Sequence, residues 1–490
     1  MIGETPVGVG QGTCPHVPSI FVLSLKSEEK RKIIQKNIWR NRQNFFIIGE
    51  SVNNKRGKNS VKKLYGILIL FALALVIAAC GSDSSDEKKD DSGKKDASAA
   101  SGEVEIFSWW TGAGEEDGLL ALIDLFEEEN PDIKIENAAV SGGAGTNAKA
   151  VLATRMQGND PPSTFQVHGG EELNKSWVAA DKMETLNDLY EENGWMDKFP
   201  QDLIDLVSVG EDIYSVPVDI HRGNVIFYNK KVFEENDIEV PKTFDEFFAA
   251  ADKLKAAGIT PLSLGDKESW TATMIFENVL LGELGPDGYK ELFAGEIEFD
   301  DKRVVKAAET FGKMLDYVDE DHASRNWQDS AQLVADGEAA MINMGDWAKG
   351  YFSNDLNLET NKDFGYFTTP NTDGDFTIIT DTFGLPKGIE NPDEVKKFLT
   401  FLGSAEAQDV FNPLKGSIPA RVDADESKYD EYGTDTMADF KDANLVPSLA
   451  HGSAASEGFL TKANQAVNIF VTQRDADNLI QALKNAAPEM

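Results

Sequence analysis

GEVEIFSWWTGAGEEDGLLALIDLFEEENPDIKIENAAV, residues 102–140, changes its hydrophobic period twice. GEVEIFSWW alternates and is rich in β-branched and aromatic residues, which predicts a strand. Leu119, Leu120, Ile123 and Phe126 then recur at helical spacing, and Pro131 stands past the end. DIKIENAAV returns to a strand pattern. The next stretch, NAKAVLATRMQGNDPPSTFQVHGG, reads as helix, proline-marked stop and strand. This βαβαβ order is the signature of an open α/β sheet. FDEFFAAADKLKAAGITPLSLG, from Phe244, repeats helix then strand, and VVKAAETFGKMLDYV and SAQLVADGEAAMINMGDW read as long helices. No repeat of fixed period runs through the chain, which argues against a solenoid.

Residues 102–490 are too many for one hydrophobic core, since chains split above about 250–300 residues. Two lobes are therefore expected. The 490-residue chain has 47 basic and 84 acidic side chains, a net charge of -37. Such a surface repels nucleic acid and anionic lipid, and it also keeps an exported protein soluble. No cysteine follows Cys80. The fold beyond it stands without disulfides, and neither a thiolate metal site nor a cysteine nucleophile is available there.

Upstream lies LYGILILFALALVIAAC, residues 64–80, with Lys62 and Lys63 before it. Its apolar residues would reach only about 24 Å as a helix, short of the bilayer's roughly 30 Å. A basic start, apolar middle and small-residue end describe a signal peptide, residues 61–79. VIAAC resembles the lipobox of bacterial lipoproteins, which implies cleavage before Cys80 and acylation of its thiol. Several acyl chains on one residue give stable anchoring. Residues 80–101, polar and serine-rich, are expected from composition to form a disordered tether with a reach of about 25 Å. Signal peptides begin at the amino terminus, so residues 1–60 are expected to be an upstream extension, with translation starting at Val61.

In open α/β sheets, ligands bind beyond the carboxyl ends of strands. The stretches placed there include SWWTGAGEE, SGGAGTN, QVHGG, VPVDIHRGN, LSLGDKESWT, MINMGDWAKGYF and TDTFGLPKG. They mix aromatics, amides, acids and histidines. That mixture suits a sugar, whose apolar faces stack on rings while its hydroxyls bond to planar polar groups.

With the lipobox and tether, VEIFSWW, PPSTFQVHGG, YSVPVDIHRGNVIFYNKKVF, TFDEFFAAADKLK, GEAAMINMGDWAKGY and FGLPKG resemble family 1 extracellular solute-binding proteins of ABC importers. SWW, SGGAGTNAKAV, QVH, IHRGN, FNPLKGSIPAR and AHG are most similar to the glucose/galactose-binding members. The resemblance spans residues 102–490 in order. It implies two α/β lobes of the maltose-binding-protein type, with a hinge and an inter-lobe ligand cleft. Lobe one would be residues 102–218 plus 378–418, and lobe two 221–376 plus 419–490. It further implies a monomer that captures a glucose-like hexose outside the membrane and delivers it to a permease. No cofactor, metal or nucleic acid is called for.

Trp109 and Trp110 are adjacent at a strand end and face opposite ways, so one belongs to the core and one reaches the cleft. Glu115 and Glu116 favour the next helix dipole; the resemblance makes Glu116 a sugar ligand. Gln166 and His168 share a strand face, as do Asp219 and His221. By resemblance Trp270, Asp346, Trp347, Asp381, Lys387 and His451 complete the site, while Trp327 is assigned to the core. SGGAGTN lacks the GK[ST] of a phosphate-binding P-loop; it reads as a backbone turn with Asn147 as a contact.

A disaccharide or another neutral solute is the alternative ligand. A secreted glycosidase would need two carboxylates about 5–10 Å apart, and neither GxSxG nor HExxH occurs. A metal-binding lipoprotein is a third reading, but no His-x₃-His spacing exists among His168, His221, His322 and His451.

Overall fold

The computed structural model of the protein describes residues 102–142 and 145–490. The signal segment, Cys80, the tether and the upstream extension lie outside the described residues. The first lobe holds a five-stranded sheet ordered Ile133–Asn137, Gly102–Phe107, Thr164–His168, Asp381–Gly384, Ser215–Pro217. The first three strands run parallel, and Asp381–Gly384 is antiparallel to both its neighbours. The opening strand stops at Phe107, so Ser108, Trp109 and Trp110 leave the sheet at its carboxyl edge.

The helix Ala113–Glu129 follows. It buries Leu119, Leu122 and Phe126, whereas Leu120, expected on the same face, is 44 % exposed. Several registers of apolar residues coexist on this helix, and packing selects one of them. The selecting partner is the helix Ala405–Lys415. Two glycines one turn apart admit it. A Cβ on Gly118 would lie 2.7 Å from the Phe411 ring, and one on Gly114 would collide with the Leu414 carbonyl. This close crossing sets the position of Lys415.

The second lobe is built on the sheet Phe364–Thr368, Val225–Asn229, Ala339–Asn343, Thr260–Ser263. Phe244–Ala256 is a helix from a complete capping box of Thr243 and Glu246. Lys302–Met314 is a helix as expected. The expected long helix through SAQLVADGEAAMINMGDW is two elements instead. Trp327–Asp336 is helical, Gly337 ends it in the left-handed conformation at φ 76, and Ala339–Asn343 is a strand. All five strand residues are buried, and a buried strand's continuous apolar run resembles a buried helix segment.

A third sheet, Asn444–Pro447, Asp375–Ile379, His221–Arg222, sits where the chain crosses between lobes. Three passes meet there. Pro217 leads to His221 through Val218–Ile220, Ile379 leads to Asp381 through Thr380, and Ile418 pairs its backbone with Ile220 at 2.8 and 3.0 Å. After Ile418 the chain stays on the first lobe for a further stretch. Val422 N donates to Lys198 O at 2.9 Å, and Lys428 pairs with Asp409 at 3.4 Å. Tyr432 then enters the second-lobe core, and the helix Glu457–Gln473 packs there through Phe459 and Phe470. The lobes also touch across the cleft: Glu172 N donates to Gly452 O at 2.8 Å and Ser453 Oγ to Gly169 O at 2.7 Å. Among the described residues no helix is long and apolar enough to cross a membrane.

Candidate ligand-binding cleft

Between the lobes lies a cavity of about 850 Å³, toward the upper end of the range for small-molecule sites. Aromatic rings from both lobes converge on it. Trp109 and His168 come from the first lobe, with ring centres 5.1 Å apart. Trp270, Trp347 and His451 come from the second, within 5.1–6.0 Å of one another. His168 meets His451 edge-on at 5.4 Å. Trp109 is held by its neighbours: its backbone N donates to Gln166 Oε1 at 3.0 Å. Gly145, at φ 100, lets the SGGAGTN turn approach its ring, since a Cβ there would sit 3.2 Å from the indole.

Below the rings is a buried charge cluster. Lys415 Nζ, on a side chain only 2 % exposed, lies 3.0 Å from Asp381 and 3.1 Å from Glu115. His221 Nδ1 donates to Asp346, and its Nε2 lies 3.4 Å from Asp219 and 3.7 Å from Asp381. Arg222 N and Tyr432 Oη also donate to Asp346, at 3.1 and 3.3 Å. Burial works against charge on each group, and neighbours outweigh it at three of them. Burial lowers His221, yet Asp219 and Asp346 hold it well above its ordinary pKa. Asp381, penalised by burial, is held well below the usual carboxylate range, first by Lys415. Lys415 is raised by Asp381 and Glu115 against its own burial. Asp219 goes the other way, pushed up by burial and then by the Asp381 charge. Asp219, His221 and Asp381 offer donor atoms within 4.8 Å of one another, a spacing that suits a cation. The Lys415 ammonium supplies the positive charge there.

Two smaller networks set the histidines. His168 Nδ1 donates to Glu172 at 2.8 Å, and Lys149 Nζ donates to the same oxygen at 2.7 Å. His451 Nδ1 lies 3.1 Å from Ser448 Oγ, which donates to the buried carboxylate of Glu277 at 3.1 Å. Burial, then His168 and Lys149, hold His451 well below its ordinary pKa. A neutral imidazole there can both give and accept a hydrogen bond.

Trp109, His168, His221, Trp270, Trp347, Asp381 and His451 therefore line one cavity. The remaining sequence candidates fall elsewhere. Trp110 is 1 % exposed and packs on Phe383 and Phe411 in the first-lobe core. Glu116 is exposed, because adjacent helical residues point about 100° apart and Glu115 takes the inward place. Asn147 is exposed and donates to Ser141 O at 3.3 Å, closing its own turn. Gln166, Asp219 and Asp346 stand behind the lining; Gln166 Nε2 orients Asp381 at 2.7 Å. Lys387 lies on the first-lobe surface, paired with Asp181. Trp327 belongs to the second-lobe core and also shows an edge to the cavity. Glu115, weighed beside Glu116 in the sequence, is the one that lines the cavity, and Lys415, Lys149 and Glu172 join it without having been singled out from the sequence. The lysine before the helix-ending Gly416 and the Glu172 four residues after His168 were the available signals.

Residues 104–409 match the family of bacterial extracellular solute-binding proteins. The chain belongs to that family. This solute-binding protein is 38 % identical over 431 residues to an uncharacterized ABC transporter extracellular-binding protein of Pyrococcus horikoshii, covering 87 % of this chain and 96 % of that one. It is 32 % identical over 380 residues to a probable sugar-binding periplasmic protein of Mesorhizobium japonicum, covering 75 % and 89 %. Among solved structures, the bacterial solute receptor AcbH, described with an exclusive preference for β-D-galactopyranose, superposes with a TM-score of 0.71 at 21 % identity, over 79 % of this chain and 98 % of that one. The shared two-lobed α/β architecture is the maltose-binding-protein type. The solute-binding protein is not an enzyme. Of the carboxylates that line the cavity, Glu115 and Asp381 share one lysine, Lys415.

Proposed function

We propose that this protein captures a glucose-like hexose between its lobes and delivers it to an ABC importer permease. The carrying observation is the convergence of three tryptophans and two histidines, from both lobes, above a charge cluster in one cavity. Rings bind the apolar faces of a sugar, and fixed carboxylate, ammonium and imidazole groups bond its hydroxyls. The names of the two relatives support the coarser part of this reading, an ABC transporter and a sugar ligand. Because each lobe supplies part of the lining, ligand favours the closed arrangement through differential affinity. A micromolar site needs about -8 kcal/mol, within reach of several hydrogen bonds at about 0.5–1.5 kcal/mol each plus ring contacts. Acylation at Cys80 would hold the protein, as a monomer, on the outer face of the cell membrane.

Calorimetric titration of the purified protein with glucose, galactose, mannose and xylose tests the ligand. Saturation by a hexose at micromolar concentration is expected, and silence from all four refutes the hexose reading. Mass analysis of the membrane fraction tests the anchor: the amino-terminal peptide should begin at an acylated Cys80.

A further inference from the structure

A buried hydrogen-bond chain leads from the second-lobe core to the cavity. Glu277, on the helix Trp270–Phe293, is buried and is not part of the cavity lining. Its Oε2 accepts from Ala450 N at 2.8 Å, and both its oxygens lie 3.1 Å from Ser448 Oγ. Ser448 is wholly buried, and its Oγ lies 3.2 Å from His451 N and 3.1 Å from His451 Nδ1. The imidazole lines the cavity and is packed among His168, Trp270 and Trp347, with ring centres 5.1–5.4 Å away. Its Nε2 makes no hydrogen bond among the described residues, so it is the ring atom left for a ligand hydroxyl.

Counting donors assigns the ring proton. A serine hydroxyl gives one hydrogen bond and accepts two. With Glu277 ionised, Ser448 donates to the carboxylate, and its two lone pairs accept from His451 N and from Nδ1–H. Nε2 is then bare and accepts. With Glu277 protonated, the carboxyl donates to Ser448, and the serine hydrogen turns to Nδ1. Nε2 then carries the proton and donates. Every group in the chain is satisfied in both states, as burial requires.

We infer that Glu277, acting through Ser448, sets whether His451 presents an acceptor or a donor to the ligand. Glu277 is thus a positioning residue for specificity from outside the cavity wall. The exchange balances. Nδ1 passes its proton to Ser448 Oγ, the serine passes its own to the Glu277 carboxylate, and Nε2 takes up one from the cavity side. One proton enters, and the imidazole is neutral before and after. Burial, then His168, Lys149 and His221, keep the ring uncharged against the pull of Asp381. Tyr289 is the titratable side chain beside the carboxylate. The effect on binding rests on the hexose reading above, whereas the tautomer itself does not.

The first test is the two-bond proton–nitrogen spectrum of the full chain labelled with nitrogen-15 in its histidine rings, which separates the two neutral tautomers. His451→Gln identifies the signals of His451. At about pH 8.5, where the carboxyl is ionised, the parent should show Nδ1–H, and Glu277→Gln, whose amide donates to Ser448, should show Nε2–H. The parent should convert to Nε2–H as pH falls through about 7. Ser448→Ala should make the ring indifferent to Glu277→Gln, with circular dichroism confirming that each variant is folded. One and the same tautomer in the parent and Glu277→Gln at the higher pH overturns the inference, and so does a response to Glu277→Gln that survives Ser448→Ala.

The second test titrates glucose, galactose and their monodeoxyfluoro analogues by calorimetry, since fluorine in place of a hydroxyl cannot donate. At about pH 8.5 one analogue should bind the parent about tenfold more weakly than its hexose, and Glu277→Gln should shrink that loss to about threefold or less. Hexose binding with the same losses in the parent and variant overturns the role in specificity. Silence from both hexoses refutes the hexose reading, and the spectra then judge the relay by themselves.

Discussion

Glu277 offers a sharp test of how the cleft is supported. It sits on the helix Trp270–Phe293, 1 % exposed, and accepts from Ser448 Oγ at 3.1 Å on each oxygen and from Ala450 N at 2.8 Å. It thereby holds the loop that carries His451. Burial dominates its titration and pushes the carboxyl from the ordinary 4.5 up to about 7. A carboxyl raised in the folded state takes up a proton on folding between those two values. Its contribution is complete below pH 4.5 and is lost as pH rises through 7. Two and a half units at about 1.4 kcal/mol each amount to about 3 kcal/mol. Glu277→Gln keeps the shape and an acceptor for Ala450 N but removes the titration. The unfolding free energies of the variant and the parent, measured in urea at intervals from pH 4.5 to 8, should diverge in the variant's favour by about 3 kcal/mol across the range. A difference that stays constant with pH would refute the reasoning, because it would mean that the carboxyl ionises in the folded protein as it does in water.

The adjacent tryptophans should separate cleanly. Trp109→Ala should weaken hexose binding by about tenfold or more in calorimetry, whereas Trp110→Ala should cost about 3–5 kcal/mol of stability in denaturant melts. Lys415→Met strips the counter-charge from buried Asp381 and should cost about 3–5 kcal/mol; Asp381→Asn in the same chain should recover part of that loss. Lys387→Ala should leave both melting temperature and hexose affinity unchanged, since its partner Asp181 is a surface group.

The order of strands and helices in residues 102–168 was legible because its hydrophobic period switches are abrupt. The stretch from Trp327 to Trp347 was not, because a fully buried strand carries no alternation to betray it. In the cleft, residues at strand ends were legible by position: Trp109, His168, His221 and Asp381 all leave or flank a strand. Residues brought in by helices were harder. Glu115 and Glu116 are equivalent in sequence, and the helix's rotation against Ala405–Lys415 decides between them. Lys415 reaches the cleft only because Gly114 and Gly118 allow that crossing, a contact between residues some 300 positions apart. Lys387 shows the converse error, a charged residue beside a strand that points away from the sheet edge.

The meeting of Trp109 with His168 on one side, and of Trp270 and Trp347 with His451 on the other, makes the protein its own optical reporter. Indole emission responds to the polarity around it, and separating the lobes would give these rings over to water. No cysteine follows Cys80, so within residues 102–490 a single thiol placed on either rim would be the one site for a dye. The same scaffold is thereby suited to serve as a reagentless sensor whose signal reads lobe separation directly.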